Sequence, residues 1–249
     1  MALAGKSSLR RECGLCVVEG RREIERALAA GLGMEQLFIC ESVIPADKVQ
    51  SLIDASPAAF SLTPAAYGKI AYREGTEGIV AVMKTIPRTL SNLTLSASPL
   101  VIVLESVEKP GNLGAILRSA DASGADAVIV CDPLTDIYNP NVIRASTGAV
   151  FTTQAVACTS QEAAVWLSDN NFRIITAQLQ DSRLYYDIDF TPATALVFGT
   201  EATGLTDFWR DRADAHIMIP MMGRMDSLNV ATSVAILSYE ALRQKQTRK

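Results

Sequence analysis

The chain contains, at residues 100–131, the stretch L-V-I-V-L-E-S-V-E-K-P-G-N-L-G-A-I-L-R-S-A-D-A-S-G-A-D-A-V-I-V-C. Residues 100–104 form a continuous apolar run, which is typical of a strand buried on both faces of a parallel sheet. Further strands are predicted at 127–131, 173–177, 195–198 and 216–219, and helices near 112–123, 160–170 and 227–243. This alternation predicts an open α/β sheet with helices on both faces.

The first part of the chain also alternates between strand-like and helix-like segments. Ile24, Ala27 and Leu28 share one face of a helix predicted at 21–30. Thr63 is a predicted N-cap, because Pro64 is favoured at the first position of a helix. The other predicted elements are short strands at 17–18, 36–40 and 78–84, and helices at 46–55 and 64–71. We therefore predict a small α/β domain over residues 1–88, a linker rich in Ser, Thr and Pro over 89–99, and a second domain over 100–249.

Composition excludes several classes of protein. With 249 residues, 49% of them hydrophobic, the chain is long enough to fold by burial alone. It has neither the roughly 18 uninterrupted apolar residues of a membrane span nor a recognisable signal sequence, so a cytoplasmic location is expected. Cys13 and Cys16 form a lone C-x-x-C, and the single histidine, His216, is distant in sequence. Because one pair supplies half of a tetrahedral ligand set, we expect reduced thiols and no metal site.

The net charge of −4 is unusual for a nucleic-acid-binding protein, which normally presents a basic surface. The basic residues nevertheless cluster locally, in two groups. The first group is Lys6, Arg10, Arg11, Arg21, Arg22 and Arg26, and the second is Arg243, Lys245, Arg248 and Lys249. These groups are either local RNA contacts or solvated faces, and charge alone favours the second explanation.

The loop after the first buried strand places polar groups at a predicted helix start. Asn112 follows Gly111 there, and asparagine is a favoured N-cap. Gly111, Gly114 and Arg118 share one face of the helix, and two glycines beside an arginine let a ligand approach closely. A surface salt bridge explains Arg118 equally well.

Two later loops also follow predicted strands. The loop F-G-T-E-A-T-G-L, residues 198–205, matches neither a phosphate-binding P-loop nor a dinucleotide-binding turn, and its Glu201 is either functional or an exposed carboxylate. The loop I-P-M-M-G-R-M-D-S-L-N-V-A-T-S, residues 219–233, places Ser227 as the N-cap of the last helix. Asn229 then falls in the first helical turn, where its amide offers a donor and an acceptor to a ligand.

Together the three loops resemble the SpoU, or TrmH-like, family of RNA ribose methyltransferases within the SPOUT class. The resemblance covers N-x-G-x-x-x-R-x-A at 112–120, G-x-E-x-x-G-L at 199–205 and I-P-M-x-G-x-x-x-S-L-N-V at 219–230. The motifs occur in the family's order and spacing, and three matches in register are much more specific than one.

The resemblance implies a domain whose last strands and helix form a deep trefoil knot, an exception to the rule that chains avoid knots. It also implies a homodimer and S-adenosylmethionine as the cofactor, with catalytic residues of both subunits near each cofactor. The residues implied to bind the cofactor are Thr176, Ala177, Gly199, Ile219 and Leu228.

The activity implied by the resemblance is methyl transfer to a ribose 2′-hydroxyl of ribosomal or transfer RNA. The residues implied to act in catalysis are Asn112, Arg118, Glu201, Ser227 and Asn229. A guanidinium stays protonated, so we expect Arg118 to bind the target phosphate and stabilise developing alkoxide charge rather than act as a base. Glu201 is expected to position Arg118 or the acceptor ribose, and the other three residues to fix the geometry. His216 is given no catalytic role.

The N-terminal 90 residues resemble, more loosely, the ribosomal-protein-like substrate-binding domain of the family, with E-G-I-V-A at 77–81 as its closing strand. One departure is Asn141, where relatives often carry lysine, although Arg144 remains. Two other functions are compatible with the sequence: a catalytically silent RNA-binding module, and a methyltransferase acting on small molecules or proteins. The presence of all five polar residues weighs against the first, and the separate N-terminal domain with its arginines against the second.

Overall fold

A computed structural model describes residues 2–72, 77–200 and 203–247. Eleven helices are described, numbered here in chain order: α1 (Ala2–Gly5), α2 (Ser7–Cys13), α3 (Arg21–Ala29), α4 (Gln50–Ala55), α5 (Pro64–Ile70), α6 (Pro110–Ser123), α7 (Pro140–Ala145), α8 (Ala149–Thr152), α9 (Ser160–Asp169), α10 (Asp207–Arg210) and α11 (Val230–Thr247). Short 3₁₀ turns occur at Ala46–Val49, Leu90–Asn92 and Tyr185–Asp187. None of the helices in the described ranges has the length and apolar character needed to cross a membrane.

The described strands number eleven. They are β1 (Leu15–Glu19), β2 (Met34–Ile39), β3 (Ala59–Ser61), β4 (Ile79–Lys84), β5 (Leu100–Glu105), β6 (Ala127–Cys131), β7 (Ala155–Cys158), β8 (Arg173–Ala177), β9 (Arg183–Leu184), β10 (Thr194–Phe198) and β11 (Ala215–Met218). The long buried strands match the sequence predictions within one or two residues. The strands β3, β7 and β9 were not predicted, because each is only two to four residues long.

The chain divides into two compact units, and the division is not linear in sequence. Unit 1 consists of Met1–Pro87 and Asp136–Thr152, and unit 2 of Arg88–Thr135 and Thr153–Lys249. Within unit 1, α7 packs against β1 and α8 against α3. Residues 136–152 were predicted to belong to the second domain, because nothing in their pattern indicates packing against the N-terminal strands.

Unit 1 is built on a four-stranded sheet in the order β1-β4-β2-β3. The strand β4 is antiparallel to both β1 and β2, whereas β2 and β3 are parallel. Cys16 and Val18 alternate toward the core along β1, and α3 buries Ile24 and Ala27. The predicted cap of α5 is present, since the Thr63 side chain accepts a hydrogen bond from the backbone of Ala66. A small mixed α/β layer results, as the sequence predicts.

Unit 2 contains a parallel sheet of seven strands in the order β7-β6-β5-β10-β8-β11-β9. The strands β5, β6 and β10 are buried along their whole length, as expected for the centre of a parallel sheet. The helix α11 packs against α6. Because all seven strands run in the same direction, their carboxyl ends, and the three loops singled out in the sequence, lie at one edge of the sheet.

Candidate cofactor and catalytic site

A cavity of about 510 Å³ lies at the carboxyl edge of the sheet in unit 2. Its described lining comes from three loops, at 177–180, 198–205 and 217–230, together with two side chains of α11 and Arg210 of α10. Cavities of this size are typical of small-molecule and cofactor sites. The sequence loops at 198–205 and 219–233 therefore converge on one site.

The loop that follows β10 is held in a tight turn that only glycine permits. Thr200 and Gly204 exchange backbone hydrogen bonds of 3.1 Å in both directions. A Cβ atom on Gly199 would lie 2.2 Å from the carbonyl carbon of Gly204, closer than any real contact. Gly204 itself has a φ of 69°, a conformation that favours glycine. Glu201, predicted as catalytic, lies outside the described residues.

A buried carboxylate fixes the end of the same loop. Glu105 is the last residue of β5, and its side chain accepts hydrogen bonds from the Thr206 backbone N–H at 2.9 Å and from the Thr206 hydroxyl at 2.6 Å. The sequence shows Glu105 only as the residue that ends an apolar run. Its role becomes visible once β5 and β10 are neighbours in the sheet.

Four of the five residues predicted to bind the cofactor line the cavity: Ala177, Gly199, Ile219 and Leu228. Thr176 does not line the cavity formed by the described residues, and here the structure differs from the expectation. Its side chain is fully buried within the sheet, with its hydroxyl 2.6 Å from Nδ1 of His216. Thr176 therefore ties β8 to β11 beneath the cavity. This role depends on the pairing of two strands that are distant in sequence.

Three of the predicted catalytic residues gather at this edge. Asn229 and Ser227 line the large cavity, and Asn112 lines a neighbouring one of about 80 Å³ that shares Gly199 and Thr200 with it. The Asn229 side-chain amide donates to Oδ1 of Asn112 at 3.2 Å. The first and third sequence motifs are thus joined by a direct contact.

Both predicted helix caps at this edge are corrected by the structure. The helix α6 begins at Pro110 with Lys109 as its N-cap, so Asn112 lies in the first turn instead of capping it. The helix α11 begins at Val230, not at 227. Asn229 is its cap, because its Oδ1 accepts from the Ala231 N–H at 3.0 Å, whereas the Ser227 hydroxyl donates to Asp226. Serine and asparagine are both good caps, so the sequence cannot choose between them.

Arg118 lies apart from these residues. It is exposed on α6 and lines neither cavity among the residues that the structure describes. It stands six positions after Asn112, roughly 9 Å further along the helix axis. One copy of the chain therefore assembles Asn112, Ser227 and Asn229, but does not bring Arg118 to the same cavity.

The sequence analysis missed several polar residues that line the large cavity. Gln178 and Gln180 directly follow β8, Asp226 precedes Ser227, and Arg210 ends α10. The two glutamines carry a usable signal, since polar residues directly after a buried parallel strand lie at its functional edge. Arg210 belongs to no motif, and no sequence signal identifies it.

Most basic residues of unit 1 that clustered in the sequence already have partners. Arg10 is only 3% exposed and its Nε lies 2.5 Å from a carboxylate oxygen of Asp136. On α3, Arg21 pairs with Glu25, Arg22 with Glu23, and Arg26 donates to the Thr147 carbonyl. Arg10 is therefore a structural residue, and its predicted place in a basic surface group is wrong.

Asn141 has a local role in unit 1. Its side-chain amide donates to the Tyr72 hydroxyl at 2.6 Å, and the Arg144 guanidinium lies 5.9 Å from the centre of the Tyr72 ring. The residue that departs from the family pattern thus helps to hold a partly exposed aromatic ring. The positive charge of Arg144 remains next to that ring.

Two family models match the chain, and together they cover nearly all of it. The model of the SpoU rRNA Methylase family matches residues 99–239, and the MRM3-like substrate binding domain matches residues 2–81. The chain belongs to the SpoU rRNA methylase family. The resemblance inferred from the three sequence motifs is confirmed.

Characterised members of the SpoU family are similar over different shares of the chain. A 23S rRNA (uridine(2479)-2′-O)-methyltransferase of Streptomyces viridochromogenes is 33% identical over 178 residues, which cover 69% of this chain and 62% of that protein. The 23S rRNA (guanosine(2553)-2′-O)-methyltransferase RlmP of Bacillus subtilis is 28% identical over 90% of this chain and 86% of its own length. The chain thus aligns with less than two thirds of the first relative and most of the second.

Solved structures of SpoU family members share the fold of nearly the whole chain. A crystal structure of an RNA 2′-O ribose methyltransferase is 38% identical, with a TM-score of 0.85 over 97% of this chain and 93% of that one. The SpoU methyltransferase AviRb from Streptomyces viridochromogenes, in complex with the cofactor AdoMet, is 28% identical, with a TM-score of 0.91 over 99% of this chain and 96% of that one. The similarity therefore extends beyond the methylase region to the N-terminal unit.

Proposed function

We propose that this protein transfers a methyl group from S-adenosylmethionine to a ribose 2′-hydroxyl of RNA, most directly ribosomal RNA. The observation that carries the proposal is the cavity of about 510 Å³, in which the second and third motif loops meet, together with the contact between Asn229 and Asn112 of the first motif beside it. The relatives that act on 23S rRNA, and the related structure that holds AdoMet, support the acceptor and the cofactor.

The cavity fits this cofactor in size and in chemistry. The loop at Gly199 exposes backbone groups where a side chain would block them, and Ala177, Ile219 and Leu228 provide an apolar wall suited to an adenine ring. When bound, S-adenosylmethionine supplies an electrophilic methyl group on a sulfonium. The polar side chains Asn229 and Ser227 line the same cavity, within the reach of such a ligand.

The catalytic contribution of the chain's own residues is positioning and electrostatic stabilisation. Methyl transfer needs the ribose oxygen in line with the methyl group, and orientation alone supplies a large part of such an acceleration. In this proposal Asn112, Ser227 and Asn229 hold the ribose. Arg118 binds the phosphate of the target and stabilises charge on the ribose oxygen, whose proton passes to water. Glu201 positions Arg118 or the ribose, as the family resemblance implies.

In this proposal Arg118 completes the site of a second copy of the chain. The exposed position of Arg118, away from the cavity of its own subunit, supports a homodimer in which it serves the cavity of the partner. Exposed apolar side chains on the loop at 219–229 and on α11 suit such an interface, with Met222 95% and Tyr239 49% exposed. The trefoil knot formed by the last strands and helix is part of the same proposal, and the match to the SpoU family model and the likeness in fold to AviRb support it.

Unit 1 selects the RNA in this proposal. Its match to a substrate binding domain and the exposed Tyr72 beside Arg144 support that role, since unpaired bases stack on aromatic rings and on guanidinium planes. In this proposal residues 1–88, joined by the segment 136–152, form the RNA-binding domain, 89–99 the linker, and the rest of 100–249 the methyltransferase domain. Because ribosomal RNA is the proposed substrate, the proposed site of action is the cytoplasm.

The proposal is tested by incubating the full-length protein with labelled S-adenosylmethionine and unmodified ribosomal RNA, transfer RNA or bulk protein in parallel. We expect label in one ribosomal RNA and none in protein. Label in protein alone would contradict the proposal. Binding of both cofactor and RNA without transfer to any RNA would favour the silent RNA-binding module.

A further inference from the structure

Arg210 lines the large cavity, and the proposed reaction does not use its charge. Among the described residues that line the cavity it carries the only positive charge. It lies at the end of α10, and no family motif includes it. The Arg210 side chain is 31% exposed, so an anionic group of a ligand in the cavity can pair with its guanidinium.

The hydrogen bonds of the Arg210 guanidinium are incomplete. Its Nε is buried, and none of the described residues accepts a hydrogen bond from it. Its Nη2 donates to Oε1 of Gln180 at 3.4 Å, a long bond, and its Nη1 lies 3.7 Å from Asp207, whose side chain is 87% exposed. Nε is enclosed, but Nη1 and Nη2 keep N–H donors beyond these two weak contacts, and the two Nη groups of a guanidinium on a cavity wall can bind a carboxylate through two parallel bonds.

S-adenosylmethionine has one anionic group, the carboxylate of its methionine moiety. We propose that Arg210 binds this carboxylate, with Gln180 holding the guanidinium in place. The inference rests on the proposed function, because it requires the cavity to hold this cofactor. It makes Arg210 a residue that distinguishes the complete cofactor from adenosine derivatives without an amino-acid carboxylate.

The matched control is Arg212, two residues further along the chain. Its guanidinium lies 3.9 Å from the centre of the Phe208 ring and donates to the Phe208 carbonyl at 2.8 Å. It does not line the large cavity formed by the described residues. Arg212→Gln removes the same charge from the same segment and leaves the proposed contact intact.

The test measures, by calorimetry, the affinity of the full-length protein for S-adenosylhomocysteine and for its decarboxylated analogue, which lacks only the carboxylate. We expect the wild type and Arg212→Gln to prefer S-adenosylhomocysteine by about tenfold to hundredfold, as for hydrogen bonds to a charged group. In Arg210→Gln this preference should disappear, with affinity for the decarboxylated analogue within about twofold of wild type, which also shows that the variant is folded.

Two results would overturn the inference while leaving the proposed function intact. In one, Arg210→Gln keeps the wild-type preference for the carboxylate. In the other, Arg210→Gln lowers the affinity for both ligands equally, which would mean that Arg210 contacts the nucleoside part of the ligand or supports the structure of the loop. A wild-type protein that binds neither ligand would contradict the proposed function itself, and this inference with it.

Discussion

Asn229 caps α11 through its side-chain oxygen and, through its side-chain nitrogen, donates to Asn112 at the start of α6, 117 positions away in sequence. One amide thus fixes the start of the last helix and joins it to the loop after β5. The cap needs only a hydrogen-bond acceptor, whereas the contact with Asn112 needs a donor. Substitution of Asn229 can therefore separate the two roles.

We expect Asn229→Asp to keep the stability of the protein and to lose methyl transfer. Aspartate caps helices as well as asparagine does, but an ionised carboxylate cannot donate to Asn112. Asn229→Ala should lose both, with the free energy of unfolding lowered by about 1 kcal/mol. The control is Thr159→Ala, which removes the cap of α9 and should lower stability similarly while activity persists. Full activity in Asn229→Asp would show that methyl transfer does not need the side-chain N–H donor of Asn229.

Arg118→Ala should abolish methyl transfer while the affinity for S-adenosylhomocysteine stays within a few-fold of wild type, because Arg118 does not line the cavity of its own subunit. Arg118→Lys should fail as well, since an ammonium does not reproduce a planar fork. Single-turnover methylation and calorimetry separate the two effects. Arg183→Ala, another exposed arginine outside the cavity, should leave both quantities unchanged. Normal turnover in either Arg118 variant would refute the role proposed for this residue.

Gly199→Ala should disrupt the cofactor site, because its Cβ would lie 2.2 Å from the Gly204 backbone, which cannot move without breaking the paired turn. We expect a loss of at least about 2 kcal/mol in unfolding free energy, or a folded protein without measurable affinity for S-adenosylhomocysteine. Gly68→Ala is the contrast, since nothing lies within 4 Å of its added Cβ in α5. That variant should be as stable as wild type or more stable by up to about 1 kcal/mol. Chemical denaturation and calorimetry measure both, and wild-type behaviour of Gly199→Ala would contradict the geometry of the loop.

Arg10→Met should lower the free energy of unfolding by about 3 kcal/mol, because it leaves the Asp136 carboxylate, whose side chain is only 11% exposed, without its partner. Arg11→Met, at an exposed neighbouring position, should change stability by less than about 0.5 kcal/mol. Urea denaturation of both variants makes the comparison. Equal, small effects would mean that the pairing of Arg10 with Asp136 does not hold residues 136–152 in unit 1.

Lys245 makes the free energy of unfolding depend on pH. Its ammonium donates to the carbonyls of Ser98 and Pro192 at 2.9 and 3.0 Å, and burial lowers its pKa below the ordinary value of 10.5. The unfolded chain therefore holds this proton more strongly than the folded one, so the contribution of Lys245 to stability rises with pH between the lowered pKa and about 10.5.

Lys245→Met should accordingly lower the unfolding free energy by about 1 to 3 kcal/mol near neutral pH, and the difference from wild type should grow as the pH approaches 10.5. Urea denaturation across this range measures it. Lys84→Met, which removes a partly exposed ion pair with Glu35, should cost about 1 kcal/mol or less. A difference that shrinks with rising pH would reverse the sign assigned to the Lys245 pKa.

The sequence predicts the parallel sheet and much of the site because both depend on local signals. Runs such as residues 100–104 can be buried only between two layers, and the three motif loops directly follow such strands. The sequence does not predict the features that depend on pairing between residues distant along the chain. Nothing in residues 136–152 indicates a partner 126 positions away at Arg10, and only the neighbouring strand shows why Thr176 is enclosed. The backbone path likewise determines that Arg210 lines the cavity and that Asn229, rather than Ser227, caps α11.

Transfer of the methyl group to a ribose oxygen of RNA can be measured directly at the bond that forms. Ribosomal RNA labelled by the full-length protein is digested with alkali, which cleaves next to every free 2′-hydroxyl but not next to a methylated one. We predict that the label remains in an alkali-resistant dinucleotide from a single position, and that Asn229→Asp gives none. Label released as a mononucleotide methylated on its base would contradict the account.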